Sequence, residues 1–222
     1  MSEPRSALLI TGSPRGHKST SQSLGSYVMD RLAERGWLTD TAVLAAKVGA
    51  DGGLDDVADA ARAANLVILA QPLYVDSLPA IVVRTLEHLA ERKVGSGQAL
   101  VAIVNCGFPE AEHNGLALEM CELFAREAGF HWAGGVALGM GEAISARALR
   151  DAGGMVHNVV RALDLTAAAL DQGDDVPDEA RALIRKPFLP AMVYLWMGNS
   201  GWKRQAGENG VANRLYARPY AD

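Results

Sequence analysis

The chain has 222 residues, 49% of them hydrophobic and 21% charged, a make-up that suits one globular α/β domain with an extension. A net charge of −5 without a basic stripe excludes the clustered Lys and Arg that nucleic acid binding requires. The apolar run Ala7 to Ile10 is too short for a signal core, and Pro190 to Met197 falls far below the ~20 residues of a spanning helix. Cys106 and Cys121 lack the CxxC spacing of a disulfide scaffold or iron–sulfur cluster, so a cytoplasmic protein with no membrane partner is expected.

In chain order, Ala7–Thr11 (ALLIT) is predicted as a buried strand ending at Gly12. Thr20–Gly36 carries Leu24, Tyr27, Val28, Leu32 and Ala33 at helical spacing, and Gly36 stops it. Leu38–Leu44 is a second strand, Leu54–Ala64 a second helix and Leu66–Ala70 (LVILA) a third buried strand. Leu78–Val94 follows as a helix with Pro79 in its first turn, then Ala99–Asn105 (ALVAIVN) as a fourth strand. Asn114–Gly129 is helical, His131–Leu138 is a fifth strand weakened by Gly134 and Gly135, and Gly154–Gln172 is a fifth helix. The tail reads as helical over Pro177–Met197 with breaks at Pro187 and Pro190, and as a Gly- and Asn-rich stretch beyond Gly198.

Five strand–helix steps demand right-handed crossovers and a mostly parallel sheet covered on both faces. In such a sheet the ligand site lies outside the carboxyl ends of the strands. The loops directly after the strands therefore carry the chemistry.

After the first strand, Gly12-Ser13-Pro14-Arg15-Gly16-His17-Lys18-Ser19-Thr20-Ser21 gathers hydroxyls, one Arg and one Lys where a helix begins. A helix start offers unpaired N–H groups and partial positive charge to a phosphate. One hydroxyl is enough for an N-cap; three in a row point to an anion. Gly12, Lys18 and Ser19 nearly spell the ATP-binding pattern GxxxxGK[ST], but His17 replaces its second glycine, and the third strand ends in Gln71 where a magnesium-holding Asp is expected. The dinucleotide pattern GxGxxG also fails, which leaves a monophosphate.

At this loop the sequence resembles the NAD(P)H-dependent FMN reductase and quinone reductase branch of the flavodoxin-like fold. Gly12-Ser13-Pro14-Arg15 and Ser19-Thr20-Ser21 match that family's G-S-x-R followed by a Ser/Thr-rich turn, and Pro72-Leu73-Tyr74-Val75 through Pro79-Ala80 matches its P-x-Y-x-x-x-x-P-A. The resemblance implies a three-layer α/β/α sandwich over residues 1–174, with a five-stranded parallel sheet in the order 2-1-3-4-5. It implies that Ser13, Arg15, Ser19, Thr20 and Ser21 hold an FMN phosphate, and that Pro72, Leu73, Tyr74 and Val75 run under the flavin ring. Asn105, Cys106, Gly107 and Phe108, after the fourth strand, meet its pyrimidine end. Hydride would come from NADPH or NADH and pass to a small acceptor such as a quinone, a nitro compound or free flavin. A homodimer or homotetramer is implied as well.

The residues leave other readings open. Tyr74 can plug the core, Cys106 reads as a small buried residue rather than a nucleophile, and Glu142, after the fifth strand, as a solvated loop residue. The five histidines show no HxH or HExxH spacing, so no metal is expected, and no G-x-S-x-G elbow exists for a serine hydrolase. In the extension, residues 175–222, Tyr194, Trp196, Trp202, Tyr216 and Tyr220 can wrap the core domain or cross to a second subunit. Two alternatives stand against an enzyme of this kind: a flavodoxin-type electron carrier without catalysis, and a P-loop-like nucleotide-binding protein.

Overall fold

The computed structural model describes residues 4–144, 148–151 and 153–218. The chain divides into two compact units, Met1–Phe188 and Leu189–Asp222. The first runs β1 (Ser6–Thr11), α1 (Thr20–Ala33), β2 (Leu38–Val43), α2 (Leu44–Lys47), α3 (Gly53–Ala63), β3 (Leu66–Pro72) and α4 (Ala80–Glu91). It continues with β4 (Ala99–Asn105), α5 (Gly115–Ala128), β5 (His131–Leu138), α6 (Gly141–Ile144), α7 (His157–Gln172) and α8 (Asp178–Ile184).

The five strands form one parallel sheet in the order β2-β1-β3-β4-β5. Successive residues of a strand face opposite sides, so each central strand feeds two cores. Leu9, Ile68, Val101 and Ile103 pack with Leu24, Val28 and Leu32 of α1 and with Val159, Leu163 and Leu170 of α7. Leu8, Ile10, Val67, Leu69, Leu100 and Val104 pack on the other side with Val57 of α3, Val82 and Leu86 of α4 and Cys121 of α5. This two-sided burial explains why the strands read as unbroken apolar runs rather than alternating ones. The strand order reverses between β1 and β3, which fixes where a ligand site opens.

Two predicted details resolve differently. Pro79 stands at the N-cap of α4, one residue ahead of the helix, rather than inside its first turn. The glycines of β5 do not weaken the strand; they build a bulge. Leu100 pairs with Trp132 and Val101 with Gly134, so Ala133 is extra, and Gly134 adopts φ 103°, a region closed to side-chain-bearing residues at low cost. The Ala133 carbonyl at the bulge accepts the Val176 N–H at 2.7 Å, which ties the chain entering α8 to the sheet edge. Ala180 and Ile184 are buried, and α8 therefore belongs to the first unit.

The second unit holds α9 (Ala191–Glu208), capped by Pro190, and a short turn at Ala212–Arg214. The helix runs through Gly198-Asn199-Ser200-Gly201, where the sequence pattern predicts the start of an irregular stretch. Each glycine costs roughly 1 kcal/mol in a helix interior. Extending a helix already nucleated by Ala191–Met197 gains a hydrogen bond per residue, and this outweighs the penalty. Met192, Trp196, Trp202 and Tyr216 are exposed, whereas Tyr220 lies outside the described residues.

Candidate functional site

The first loop leaves β1 in register with its neighbour, the Gly12 N–H donating to the Ala70 carbonyl at 2.8 Å. A turn follows in which the Ser13 carbonyl accepts the Gly16 N–H at 2.9 Å, with Gly16 at φ 58°. The buried Ser13 hydroxyl accepts the Arg15 N–H at 3.3 Å. Ser19 caps α1: its hydroxyl accepts the Gln22 N–H and donates to the Gly16 carbonyl at 2.8 Å.

The next two hydroxyls serve as braces. Thr20 Oγ1 donates to the Gly141 carbonyl and Ser21 Oγ to Asn105 Oδ1, each at 2.8 Å, and both side chains are buried. They bind the start of α1 to the loop after β5 and to the last residue of β4. The side chains of Arg15 and Lys18 reach solvent. Arg15 Nη1 meets Glu142 Oε1 at 3.0 Å, so Glu142 is a paired residue rather than only a solvated one.

After β3, the Leu73 N–H donates to the Asn105 carbonyl at 2.8 Å, fastening this loop to the end of β4. Tyr74 and Ser77 then exchange two backbone hydrogen bonds, at 3.0 and 3.1 Å, around Val75 at φ 50° and Asp76 at φ 55°. Both central residues have positive φ, the pattern of a type I′ turn. A β-branched residue held there stores about 1–3 kcal/mol of strain, and such strain concentrates at functional sites. Val75 is 98% exposed and Tyr74 is exposed too, so Tyr74 does not plug the core.

Cys106 is buried, its Sγ 3.4 Å from Asn114 Nδ2 and 3.5 Å from the Glu110 carbonyl. Burial pushes its thiol pKa up, which suits a packed residue and not a nucleophile. Gly107 and Phe108 face solvent, and the Phe108 ring lies 4.6 Å from that of His113. The loop after β5 closes the group: the Met140 N–H donates to the Phe108 carbonyl at 2.7 Å and the Gly141 N–H to the Cys106 carbonyl at 2.8 Å.

The candidate residues from the loops after β1, β3 and β4 thus lie at one end of the sheet, flanking the β1/β3 reversal. The loop after β5 completes the site. Of its residues only Glu142 draws notice in the sequence; position directly after a strand is the signal available for the rest. A surface hollow of about 220 Å3 is lined by His17 of the loop after β1, by Gln22, Tyr27 and Asp30 of α1 and by Leu149 and Arg150. It runs along α1 from the loop after β1 to the segment around Arg150. Among the described residues, no three His, Cys, Asp or Glu side chains gather as metal ligands, and no helix is long and apolar enough to cross a membrane.

No family model matches the chain, and no curated protein matches its sequence. Solved structures do. A flavodoxin from Streptococcus pneumoniae superposes with a TM-score of 0.56 at 15% identity, covering 76% of this chain and 99% of that one. The fold is flavodoxin-like. An FMN-dependent NADH-azoreductase from Bacillus anthracis, solved in complex with FMN, gives 0.56 at 10% identity over 75% of this chain and 99% of its own. RosB, solved with bound 8-demethyl-8-formylriboflavin-5′-phosphate, gives 0.60 at 10% identity and covers 89% of this chain and 87% of that one. In the flavodoxin-like sheet the loops after β1 and β3 flank the topological switch point and the loop after β4 lies beside them.

Proposed function

We propose that this protein is an FMN-dependent oxidoreductase that takes electrons from NADPH or NADH and passes them to a small acceptor such as a quinone, a nitro compound or free flavin. One observation carries the reading: the exposed cations Arg15 and Lys18 flank the start of α1, while exposed Tyr74 and Phe108 border the same end of the sheet. That donor set suits a phosphate at one side and a flat aromatic ring at the other. When bound, FMN supplies reversible two-electron hydride chemistry, which the protein serves by binding and orientation.

Arg15, Lys18 and the main-chain N–H groups at the start of α1 hold the phosphate, because charge-assisted hydrogen bonds to an anion are the strong ones. Ser13 and Ser19 shape the loop that presents those groups. Thr20 and Ser21 contribute through the main chain and by bracing, since both hydroxyls donate to protein oxygens. Pro72, Leu73, Tyr74 and Val75 would line one side of the ring, and the exposed Gly107 and Phe108, carried on the buried Asn105 and Cys106, its pyrimidine end. No side chain needs to act as acid or base.

The test is an absorbance spectrum after soaking the purified protein in FMN and desalting. Retained flavin bands, bleached by NADPH or NADH and restored by a quinone, support the reading; a colourless protein refutes it. Retained flavin that neither nicotinamide bleaches favours an electron carrier, a second reading supported by the likeness to a flavodoxin. The proposed assembly is a homodimer or homotetramer, since Met192, Trp196 and Trp202 leave α9 with exposed apolar surface. Sedimentation at equilibrium checks it.

A further inference from the structure

Glu142 stands where three loops converge. Its carboxylate meets a single guanidinium nitrogen of Arg15, with Oε1 at 3.0 Å and Oε2 at 3.4 Å from Nη1. Its stem runs beside Gly107, where an added Cβ would lie 3.8 Å from Glu142 Cγ. The residue before it is pinned twice, the Gly141 N–H to the Cys106 carbonyl and the Gly141 carbonyl by Thr20 Oγ1. With that backbone held, the pair opens by rotation of the Glu142 or the Arg15 side chain, both more than half exposed.

One nitrogen shared between two carboxylate oxygens is a poorer arrangement than the two-pronged grip a guanidinium makes on a phosphate. An arriving phosphate thus has the better geometry, yet it must first break the pair and then tolerate a displaced carboxylate beside its own charge. We infer that Glu142 sets the affinity of this site for phosphorylated ligands by occupying Arg15 until a phosphate monoester displaces it, an inference that rests on the flavin reading above. Arg15 and Glu142 are 57% and 59% exposed, so water screens the competition and limits its size. Glu142→Gln removes the competing charge while keeping the shape, and FMN binds between about twofold and about fivefold tighter.

The test is a flavin-fluorescence titration of the full chain at fixed ionic strength, using FMN and riboflavin, which lacks the phosphate. Glu142→Gln should lower the dissociation constant for FMN, leave that for riboflavin unchanged, and have a smaller effect in an Arg15→Gln background, where only the repulsion between carboxylate and phosphate is relieved. Glu142→Lys should bind FMN at least as tightly as Glu142→Gln. Equal or weaker FMN binding by Glu142→Gln overturns the role of Glu142 and leaves the flavin reading standing. Equal gains for FMN and riboflavin also overturn it, because the effect would then not concern the phosphate. If neither the wild type nor any variant binds FMN, the flavin reading falls and this inference with it.

Discussion

Gly25→Ala sets two physical effects against each other inside the helix that carries the first loop. By helix propensity alone, replacing an interior glycine with alanine stabilises by roughly 1 kcal/mol. A Cβ at position 25, however, would stand 2.5 Å from Leu9 Cδ1, 3.0 Å from Leu9 Cδ2 and 3.2 Å from Ala70 Cβ. Leu9 is wholly buried, so its methyls cannot retreat without moving their own neighbours, and Ala70 Cβ is fixed to the β3 backbone. Overpacking of this kind costs about 1–3 kcal/mol. Packing wins, and the variant is expected to lose about 1 kcal/mol net. With a urea m-value of about 2 kcal/mol/M, that is a fall of about 0.5 M in the unfolding midpoint. Leu9→Val supplies the check. It costs about 1 kcal/mol alone but returns room beside the methyl added at position 25, so the double variant should be more stable than the sum of the two singles by at least about 1 kcal/mol. A Gly25→Ala protein that gains stability, or a double variant that is merely additive, would refute the packing account of why α1 sits so close to β1 and β3.

Ser21→Ala strips the buried Asn105 Oδ1 of its donor, and urea unfolding should show a loss of about 1–3 kcal/mol; an unchanged midpoint would mean that this brace contributes nothing. Val75→Asn places a residue tolerant of positive φ in the Tyr74–Ser77 turn and sacrifices no buried surface, so a gain of about 0.5–1 kcal/mol is expected in the same unfolding assay. Burial pushes the Cys121 thiol pKa up to about 12 from an ordinary value near 9. A folded-state value above the unfolded one gives stability that is complete below the unfolded pKa and declines as pH rises toward the folded one, by at most about 1.4 kcal/mol per pH unit. Urea midpoints at three pH values spanning the ordinary thiol pKa should therefore converge between the wild type and Cys121→Ala as pH rises, and parallel profiles would show that the thiol is not protected.

Much of the site was legible because its residues follow strands whose apolar runs are unmistakable. Arg15, Tyr74 and Phe108 stand exposed at the strand ends where the pattern put them, and Gly12 through Ser21 opens α1 as expected. What the hydroxyls do was not legible. Three in a row suggested three donors to an anion, whereas Thr20 and Ser21 donate to partners 121 and 84 positions away in the chain. The pairing of Arg15 with Glu142 spans a similar distance, and no local spacing encodes it. Likewise, a Gly-rich stretch reads as a break in the sequence, but the helix on either side of Gly198 and Gly201 carries it through.

The sequence by itself determined the alternation of strands and helices, the two-sided burial of the central strands and the loops in which chemistry gathers. These depend on side-chain periodicity and on Gly and Pro, whose effects act within a few residues. Only the tertiary structure decided which hydroxyl braces a neighbouring loop, which carboxylate sits on Arg15 and that the bulge at Ala133 anchors α8. Those outcomes depend on which backbone ends the crossovers bring within hydrogen-bonding distance, and a one-dimensional pattern does not contain that distance.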